Sequence, residues 1–486
     1  MQPVLTPLEM TAADQHAIAT GTPEEVLVER AGRAVARHAR RTLGGTYGRR
    51  VTVLAGKGNN GADGRVAARL LRSWGVGVDE LLVTQEVDPA DMERALARSD
   101  LVIDAMFGTG FRGRLEGTAA MAARAIDASS APVLAVDIPS GVDGATGAVA
   151  DVAVRADETI CFAAYKPGLL FEPGSSFAGR IQVTDIGIDV DGGSRLAVFE
   201  GPDLSLPAPG AASHKWSSGC LVVGGSSGMV GAPLLAGTAA LRSGAGMVVC
   251  AVPGAAAAAQ VSGRELVARA LASTPDGALA EEAAAAVLKD VSRFRALAIG
   301  PGLGRDRETQ AAVRRIVAEA AVPVVIDADA LNAIAVNPSV LRARDAAGLP
   351  LAVLTPHAGE YERLAGSPVG DDRVAAARDL AARLRAIVLL KGPGTVVAAP
   401  DGYAIVNRTG GPALATAGTG DVLTGVIVGL LAQGVPPFDA AATGAYVHGR
   451  TADAAPTSPD IVASDLVSAL PRTLQGLRGG ADPWEK

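Results

Sequence analysis

The sequence has few cysteines. It contains three among 486 residues, Cys161, Cys220 and Cys250, and none of them belongs to a CxxC pair. An odd number of cysteines without metal-ligand spacing argues against a disulfide framework and gives no indication of a zinc site. We therefore expect three buried thiols in a reducing compartment.

The sequence also lacks a basic stripe and a long apolar run. Arginines are scattered singly along the chain, and the formal net charge is −7. Such a charge distribution disfavours nucleic acid as a partner. No apolar run approaches the length of a membrane span, and the first residues, MQPVLTPLEMTAADQHAIATG, show no basic segment followed by an apolar one. We expect a cytoplasmic protein with no membrane partner.

What the sequence does have is two regions in which short apolar runs alternate with amphipathic stretches. The first follows a helical pattern over 22–41 and runs from VTVLAG to APVLAVDIPSG; the second begins at CLVVGG. Continuous apolar strands separated by helices predict parallel sheets covered on both faces. The Gly-, Pro- and Ser-rich segment 191–213 between them is the best candidate linker. The fold prediction is therefore α/β, with two fused three-layer α/β/α domains over 1–205 and 206–486.

One motif combines a glycine-rich turn with an acid. In NRTGGPALATAGTGDVLTGVIV, residues 407–428, the small residues around Gly418 and Gly420 precede Asp421 and a helical apolar run. Backbone amides at a helix N-terminus form a cradle for a phosphate. An acid beside such a cradle indicates a general base in phosphoryl transfer. The alternative is that Asp421 only caps the helix.

Four further motifs of the second region lie where strands are predicted to end, namely GPGLG, DADALN, TPHAGE and KGPGT. Ligands gather at the carboxyl ends of parallel strands, so the set together indicates a binding site. Lys391 is positioned to steer phosphate charge, or else is a solvated surface group. His357 either contacts a ligand or caps the helix that TPHAGE begins.

The first region carries a glycine-rich turn and acids at its own strand ends. The loop Gly56–Gly64 follows the strand VTVLA, and it matches neither GxGxxG nor a Walker A loop. Alone it would be a plain strand-to-helix turn. Asp104 and Ser140 end later strands, and with Asn60 they offer oxygen ligands of low total charge, which suits a monovalent cation. Each acid has the alternative role of closing a turn.

The motifs of the second region, from HKWSSGCLVVGG through NRTGGPALATAGTGDVLTGVI, resemble the ribokinase-like, ADP-dependent NAD(P)H-hydrate dehydratases over about 213–475. The resemblance implies that ADP phosphorylates the hydroxyl of a hydrated nicotinamide cofactor, which then loses phosphate to give NAD(P)H and AMP. It implies Asp421 as the base and Mg²⁺ arriving with the nucleotide. The nucleotide would lie on Lys391, Gly392, Pro393, Gly394, Thr395, Gly418 and Gly420. The hydrate would lie near Ala232, Gly302, His357 and Asp421. Trp216 replaces a glycine common in relatives, which makes that entry loop less certain.

The motifs GKGNNGADGR, DAMFGTGFRGRLEG, VDIPSGVDGATG and FAAYKPGLL resemble the NAD(P)H-hydrate epimerases, with a Rossmann-like fold, over about 1–190. The resemblance implies interconversion of the R and S hydrates, with K⁺ at Asn60, Asp104 and Ser140. Asp137 is the expected acid/base, and Lys166 is a weaker candidate. Substrate would contact Asp137 and the residues Asn59, Asn60, Gly61, Ala62, Asp63, Gly108, Thr109, Gly110, Phe111, Arg112, Gly113 and Arg114. Ala62 replaces a common glycine, and its methyl group is a reason to expect a weakened epimerase.

Together the two resemblances imply a bifunctional repair enzyme, a lyase and isomerase acting on NADHX and NADPHX with ADP, and assembling as a homo-oligomer. A dehydratase that accepts one epimer leaves the other stranded unless something interconverts them, so the fusion is chemically coherent. The alternative is a ribokinase-like small-molecule kinase joined to a non-catalytic binding domain.

Overall fold

The computed structural model describes residues 1–190, 194–262, 265–454 and 460–479. The chain divides into two units, an N-terminal unit of residues 2–197 and a C-terminal unit of residues 198–486 together with Met1. Part of the predicted linker is regular structure, because Leu196–Phe199 forms a strand. The boundary between the two units falls within this strand. Residues 191–193 of the predicted linker lie outside the described residues, as do 480–486 of the predicted second domain.

The N-terminal unit is built from alternating strands and helices. Its strands are β1 (Gln2–Pro3), β2 (Arg50–Ala55), β3 (Gly77–Leu82), β4 (Leu101–Ala105), β5 (Val133–Val136), β6 (Glu158–Phe162) and β7 (Arg180–Thr184), followed by β8 (Leu196–Phe199) at its end. Its helices are α1 (Pro7–Ala19), α2 (Glu24–Thr42), α3 (Asn59–Ser73), α4 (Pro89–Ala97), α5 (Gly117–Asp127) and α6 (Ser175–Ala178). Strands β2 to β7 form a parallel sheet in the order β3-β2-β4-β5-β6-β7.

Successive side chains of the central strands point to opposite faces of this sheet. Val53 and Ile103 belong to a core shared with α1, α2 and α3, whereas Leu54 and Val102 belong to a core shared with α4 and α5. Both faces are therefore covered, which explains why the strands are apolar throughout. The three-layer arrangement places the carboxyl ends of β2, β4, β5 and β6 along one edge.

The predicted loop Gly56–Gly64 is shorter than expected, because α3 already begins at Asn59. The turn is tight enough that a Cβ on Gly61 would lie 2.0 Å from the carbonyl oxygen of Gly56. Ala62 lies in the first turn of α3 with its amide donating to Gly58 O at 3.0 Å. An alanine in a helix needs no positive φ, so the backbone conformation at Ala62 gives no reason to expect a weakened epimerase.

The C-terminal unit repeats the alternation on a larger scale. Its strands are β9 (Gly219–Val223), β10 (Met247–Pro253), β11 (Val267–Leu271), β12 (Ala296–Ile299), β13 (Val324–Ile326), β14 (Val353–Leu354), β15 (Ile387–Leu390), β16 (Thr395–Ala398) and β17 (Ala404–Asn407). Its helices are α7 (Gly231–Arg242), α8 (Ala255–Val261), α9 (Ala283–Asp290), α10 (Arg307–Glu319), α11 (Asp329–Val336), α12 (Ser339–Ala346), α13 (Ala358–Ala365), α14 (Arg373–Leu384), α15 (Thr419–Ala432), α16 (Pro437–Asp453) and α17 (Ala463–Arg478).

These nine strands lie in the order β17-β16-β15-β14-β13-β12-β9-β10-β11. The strands from β15 to β11 are parallel, as predicted, but β15, β16 and β17 pair antiparallel. The prediction of a wholly parallel second sheet was therefore wrong at one end. The glycines of KGPGT close a hairpin between β15 and β16, which an apolar pattern alone does not distinguish from a parallel crossover.

Helix α15, which carries Asp421, packs very closely on α7. A Cβ on Gly425 of α15 would lie 2.2 Å from the carbonyl oxygen of Ala236 on α7. We therefore expect Gly425→Ala to force the helices apart and to destabilise the C-terminal unit by about 1–3 kcal/mol, measured by urea unfolding. In Gly231→Ala on α7, the added Cβ meets nothing within 4 Å. This control should be neutral or slightly stabilising, and equal losses in both variants would contradict the packing argument.

Among the residues that the structure describes, no helix is both long enough and apolar enough to cross a membrane. The three cysteines among these residues are buried thiols, as expected from the sequence.

Candidate active sites

A cavity of about 570 Å³ opens at the carboxyl edge of the N-terminal sheet. Its walls come from α1 and the start of α2, from residues 57–60 before and within α3, and from residues 106–111 after β4. Three side chains near the ends of β5 and β6 complete it, namely Asp137, Phe162 and Lys166. Asn60 and Asp137, which the sequence singled out, therefore meet in one cavity, together with α1, which it did not single out; Asp104 and Ser140 are not in the wall.

Asp137 and Lys166 form a buried ion pair in this cavity. The Lys166 Nζ donates to Asp137 Oδ1 at 2.5 Å and to the Phe162 carbonyl at 2.9 Å. Lys166 is fully buried, and Asp137 is 8% exposed. Asp137 has φ of 64°, a left-handed conformation that is unusual for a residue other than glycine. Such strain at the end of a strand is typical of functional positions.

Asp104 and Ser140 contact each other directly behind the cavity. The Ser140 hydroxyl donates to Asp104 Oδ1 at 2.6 Å, and the Ser140 amide donates to Oδ2 at 2.8 Å. Burial raises the pKa of Asp104 to about 6 although these hydrogen bonds oppose the shift. Asn60 lies in the cavity wall with its Nδ2 buried and without a hydrogen-bond partner. Within the described part of the chain, no cluster of three His, Cys, Asp or Glu residues is arranged to hold a metal ion.

Some predicted substrate contacts lie outside the cavity wall. Arg112 pairs with Asp143 at 3.3 Å, and Arg114 pairs with Glu116 at 3.2 Å. Gly61, Ala62 and Gly113 are also absent from the wall, whereas Asn59, Asn60, Asp63, Gly108, Thr109, Gly110 and Phe111 line it. Asp143 also closes a turn, since its Oδ1 accepts from Ala145 N at 2.9 Å.

Asp421 lies in the first turn of α15, and it is not the cap. The N-cap is Gly418, with φ of 89°, so the alternative that Asp421 merely caps the helix was wrong. Burial, followed by the nearby Asp327 carboxylate, raises the pKa of Asp421 to about 7. The first amides of a helix have no partner within the helix, so those of Gly420 and Asp421 point to where a ligand would lie. The Thr419 amide already donates to Thr416 O at 3.4 Å.

Lys391 lies across from this turn and is held by two carboxylates. Its Nζ donates to Asp327 Oδ1 at 2.9 Å and lies 3.8 Å from Glu360 Oε2. A Cβ on Gly420 would lie 3.6 Å from the same Nζ, so the ammonium faces the start of α15. Burial lowers the pKa of Lys391, but the attraction of Asp327 and Glu360 outweighs it and the net shift is upward. Lys391 is therefore charged and fixed, which excludes the alternative of a freely solvated lysine.

Asp327 is the centre of this network. It is 2% exposed, and it accepts hydrogen bonds from Thr355 Oγ1 and Thr424 Oγ1, each at 2.7 Å. Burial alone would raise its pKa, but Lys391 and the two hydroxyls hold the pKa of Asp327 below its usual value. The network connects β13, β14, β15 and α15, and so it fixes the cation relative to the helix N-terminus.

The residues expected near the hydrate occupy two places. A Cβ on Gly302 would lie 3.3 Å from Ala232 Cβ, so the turn after β12 contacts the start of α7. His357 caps α13, with its Nδ1 accepting from Gly359 N at 3.0 Å and from Glu360 N at 3.3 Å. The capping role of His357 is thus confirmed, and its exposed ring edge leaves a contact with ligand as a prediction.

Both halves of the chain match known families. A family model described as NAD(P)H-hydrate dehydratase matches residues 220–472, and one described as YjeF-related protein N-terminus matches residues 24–98 and 81–168. A bifunctional NAD(P)H-hydrate repair enzyme from Moorella thermoacetica is 39% identical over 97% of this chain and 95% of its own. The chain belongs to the bifunctional NAD(P)H-hydrate repair enzymes. The predicted family and its two activities are confirmed.

Solved structures match the dehydratase part of this repair enzyme. An ADP/ATP-dependent NAD(P)H-hydrate dehydratase from Bacillus subtilis, co-crystallised with ATP/Mg²⁺, is 31% identical, with a TM-score of 0.47 and coverage of 58% of this chain and 98% of that one. A ribokinase-like superfamily protein from Enterococcus faecalis is 24% identical, with a TM-score of 0.50 and coverage of 60% and 98%. The latter agrees with the predicted ribokinase-like fold.

Several residues of both sites in this repair enzyme were missed by sequence reasoning. Asp14 reaches the N-terminal cavity from α1, whose sequence carries no glycine-rich or strand-end signal. Asp327 and Glu360 belong to the quoted motifs DADALN and TPHAGE, but their part in holding Lys391 depends on strands far apart in the chain. Recognising two acids that flank a lysine at neighbouring strand ends could have found them.

Proposed function

We propose that residues 1–205 interconvert the R and S hydrates of NADH and NADPH, and that residues 206–486 dehydrate the S form at the expense of ADP. The observation that supports the second assignment best is the position of Asp421, beside a helix N-terminus and a fixed lysine, with a pKa raised to about 7. A carboxyl group with that pKa ionises near neutral pH, which suits a general base.

In the dehydratase, Asp421 takes the proton of the hydrate hydroxyl as the hydroxyl oxygen attacks the terminal phosphorus of ADP. AMP leaves, and the phosphorylated hydrate then loses phosphate from one ring carbon and a proton from the adjacent ring carbon to give NAD(P)H. The Lys391 ammonium and the amides at the start of α15 stabilise the charge on the phosphoryl oxygens. Asp327 and Glu360 hold Lys391 in place for that role.

The nucleotide is proposed to lie along the hairpin Lys391–Thr395 and against Gly418 and Gly420. Gly392 has φ of 142°, and Arg373 Nη2 donates to the Lys391 carbonyl at 3.1 Å, so this hairpin is held in one conformation. Mg²⁺ arrives with the nucleotide and neutralises its phosphate charge when bound. The hydrate is proposed to lie near Ala232, Gly302 and His357, and the enzyme to act as a homo-oligomer in the cytoplasm.

In the epimerase, Asp137 is the proposed acid/base for the hydrate hydroxyl. It lines the cavity, and its Oδ1 accepts a hydrogen bond from the Lys166 Nζ at 2.5 Å. Lys166 is fully buried, so its role is to hold Asp137 in place and to balance the negative charge of Asp137. The cavity is large enough to admit the nicotinamide ring and its ribose, since small-molecule sites of about 300–1,000 Å³ are usual.

K⁺ is the proposed cation of the epimerase, held by Asn60, Asp104 and Ser140. One carboxylate, one amide and one hydroxyl oxygen fit a hard, singly charged cation, and the Ser140 hydroxyl and Asp104 Oδ1 already lie 2.6 Å apart. When bound, the cation supplies a fixed positive charge that orients the loop residues lining the cavity.

A thermal measurement tests the cation site without relying on turnover. We expect KCl to raise the melting temperature of the wild-type protein by several degrees over choline chloride at the same ionic strength, because a ligand that binds only the folded state stabilises it. Asn60→Ala should lose this difference. Asn59→Ala, whose side chain donates to Glu24 at 3.1 Å, should retain it. An equal response to KCl in Asn60→Ala would remove Asn60 from the site.

The proposed dehydration is tested with the purified S hydrate and either ADP or ATP. We expect stoichiometric NAD(P)H, AMP and free phosphate with ADP. A stable phosphate ester of the hydrate, with no free phosphate, would show that the C-terminal unit stops at phosphoryl transfer.

A further inference from the structure

We propose that Asp63 is the proton donor of the epimerase and that Asp14, in the same cavity wall, adds to the surroundings that favour its protonated form. Asp63 would act opposite Asp137, with Asp137 accepting the proton of the hydroxyl and Asp63 supplying a proton to the ring nitrogen. The inference deepens the proposed epimerase function and rests on it.

The two aspartates reach the cavity from different elements. Asp63 projects from α3 and Asp14 from α1, and both line the same cavity as Asp137 and Lys166. The position of Asp63 is fixed by close packing of α2 on α3, since a Cβ on Gly32 would lie 2.7 Å from the Asp63 carbonyl oxygen. Asp63 is thus buried in the wall, and Asp14 lines the wall while remaining partly exposed.

Asp63 has no partner for its carboxyl group. It is 6% exposed, and among the described residues neither a hydrogen bond nor a salt bridge to its side chain is formed. A buried carboxylate without donors is costly, whereas a buried carboxylic acid needs only an acceptor. The amide of Asn60, three residues earlier on α3, is likewise buried and unpartnered in the same wall. The carboxyl group of Asp63 and the buried amide of Asn60 both face one cavity without a partner among the described residues, which indicates a ligand that completes their hydrogen bonds.

The surroundings of Asp63 favour its protonated form. Burial, then the negative charges of Asp137 and Asp14, raise the pKa of Asp63 to about 8, while Arg65 on the same helix opposes the shift. Burial and Asp137 raise the pKa of Asp14 to about 6, with Lys166 opposing and Glu24 adding to the rise. At neutral pH Asp14 is therefore largely ionised and Asp63 largely protonated.

The chemistry of the substrate requires such a donor. Hydration of a dihydronicotinamide places the hydroxyl on a carbon bonded to the ring nitrogen, so the epimeric centre is a hemiaminal. Asp137 removes the hydroxyl proton as the carbon–nitrogen bond breaks, and the ring nitrogen takes the proton of Asp63, leaving an aldehyde and an enamine. Rotation about the adjacent carbon–carbon bond presents the other carbonyl face. The nitrogen then adds to it, Asp63 regains its proton, and the oxygen takes back the proton held by Asp137.

The first test measures conversion of purified R hydrate to S hydrate by the full chain without ADP, so that dehydration does not interfere. We expect Asp63→Asn to lower kcat by about 100-fold or more with KM within about threefold, because a proton donor acts in the transition state. The matched control is Asp91→Asn on α4, an exposed aspartate outside the cavity, which should keep wild-type kcat. Wild-type kcat in a folded Asp63→Asn protein would overturn the proposal.

The second test uses the pH profile and separates a protonation role from a purely structural one. Wild-type kcat/KM should fall as pH rises through about 8, where Asp63 loses its proton. Asp14→Asn removes a negative charge that holds this pKa up, so the alkaline limb should move down by about 0.5 pH unit or more. An unmoved limb in Asp14→Asn would overturn the role of Asp14. If the wild type does not epimerise the hydrate, the proposed function fails. If the wild type epimerises it, Asp137→Asn is inactive and Asp63→Asn has normal activity, only the inference about Asp63 fails.

Discussion

Asp421→Asn is expected to lower ADP-dependent turnover of the S hydrate by about 10³-fold, because general-base catalysis contributes about 10²–10⁴-fold. Asparagine has nearly the same shape but accepts no proton at neutral pH. AMP binding should be retained or tightened, since the substitution removes a negative charge from beside an anion site. Measuring kcat with ADP and the dissociation constant of AMP on the same protein distinguishes loss of the base from loss of the site.

The pH dependence of the wild-type enzyme gives an independent check on Asp421. Its pKa is raised to about 7, and only the ionised form accepts a proton. Turnover by the wild type should therefore rise as pH increases through about 7. The residual activity of Asp421→Asn should lack this rise. Asp371→Asn serves as the matched control, because Asp371 is exposed and precedes α14. Wild-type turnover in Asp421→Asn would remove Asp421 from the role of base.

Lys391→Met is expected to abolish dehydration and also to destabilise the C-terminal unit by about 3–5 kcal/mol at pH 7, because it leaves a buried carboxylate without its cation. Asp327 is 2% exposed and would keep only the hydroxyls of Thr355 and Thr424. The effect on stability is measured by calorimetry, and the effect on function by turnover with ADP.

The sign of the pH effect on stability should reverse in this variant. In the wild type the pKa of Asp327 is lowered in the folded protein. Asp327 therefore adds to the free energy of unfolding above its unfolded-state pKa, and this contribution is lost as pH falls through its folded-state pKa. Without Lys391, burial raises this pKa above the unfolded value, and the variant should gain stability relative to the wild type as pH falls. Lys289→Met removes an exposed lysine on α9 and should change neither property. Equal stability of Lys391→Met and the wild type at pH 7 would contradict the proposed pairing.

Much of the fold could be predicted because the signals are local. The predicted helix over 22–41 is observed as Glu24–Thr42, and the run VTVLAG at 51–56 is observed as the strand Arg50–Ala55. The antiparallel hairpin at Lys391–Gly394 could not be predicted from periodicity, since a buried strand has the same apolar pattern in either direction. The early start of α3 was missed because asparagine and glycine are read as loop residues, although the turn before the helix needs only Gly56–Gly58.

The candidate sites could be predicted only where chemistry and sequence position coincide. Asp421 and Asp137 stand directly at helix or strand ends, where ligands gather; Asp421 lies in the first turn of α15, and Asp137 lines the N-terminal cavity. Asp14 was missed because a single acid on an amphipathic helix is ordinarily a solvated group. Arg112 and Arg114 were expected at the substrate through resemblance, but both pair with nearby acids outside the cavity wall.

The central claim, that two sites on one chain act in sequence on one damaged cofactor, is tested most directly by giving the full chain pure R hydrate with ADP and K⁺. The account predicts complete conversion to NAD(P)H, AMP and phosphate by the wild type. It predicts that Asp137→Asn leaves the R form unchanged, and that Asp421→Asn stops at a mixture of R and S forms. Persistence of the R form in the wild-type reaction, with the S form still consumed, would contradict it.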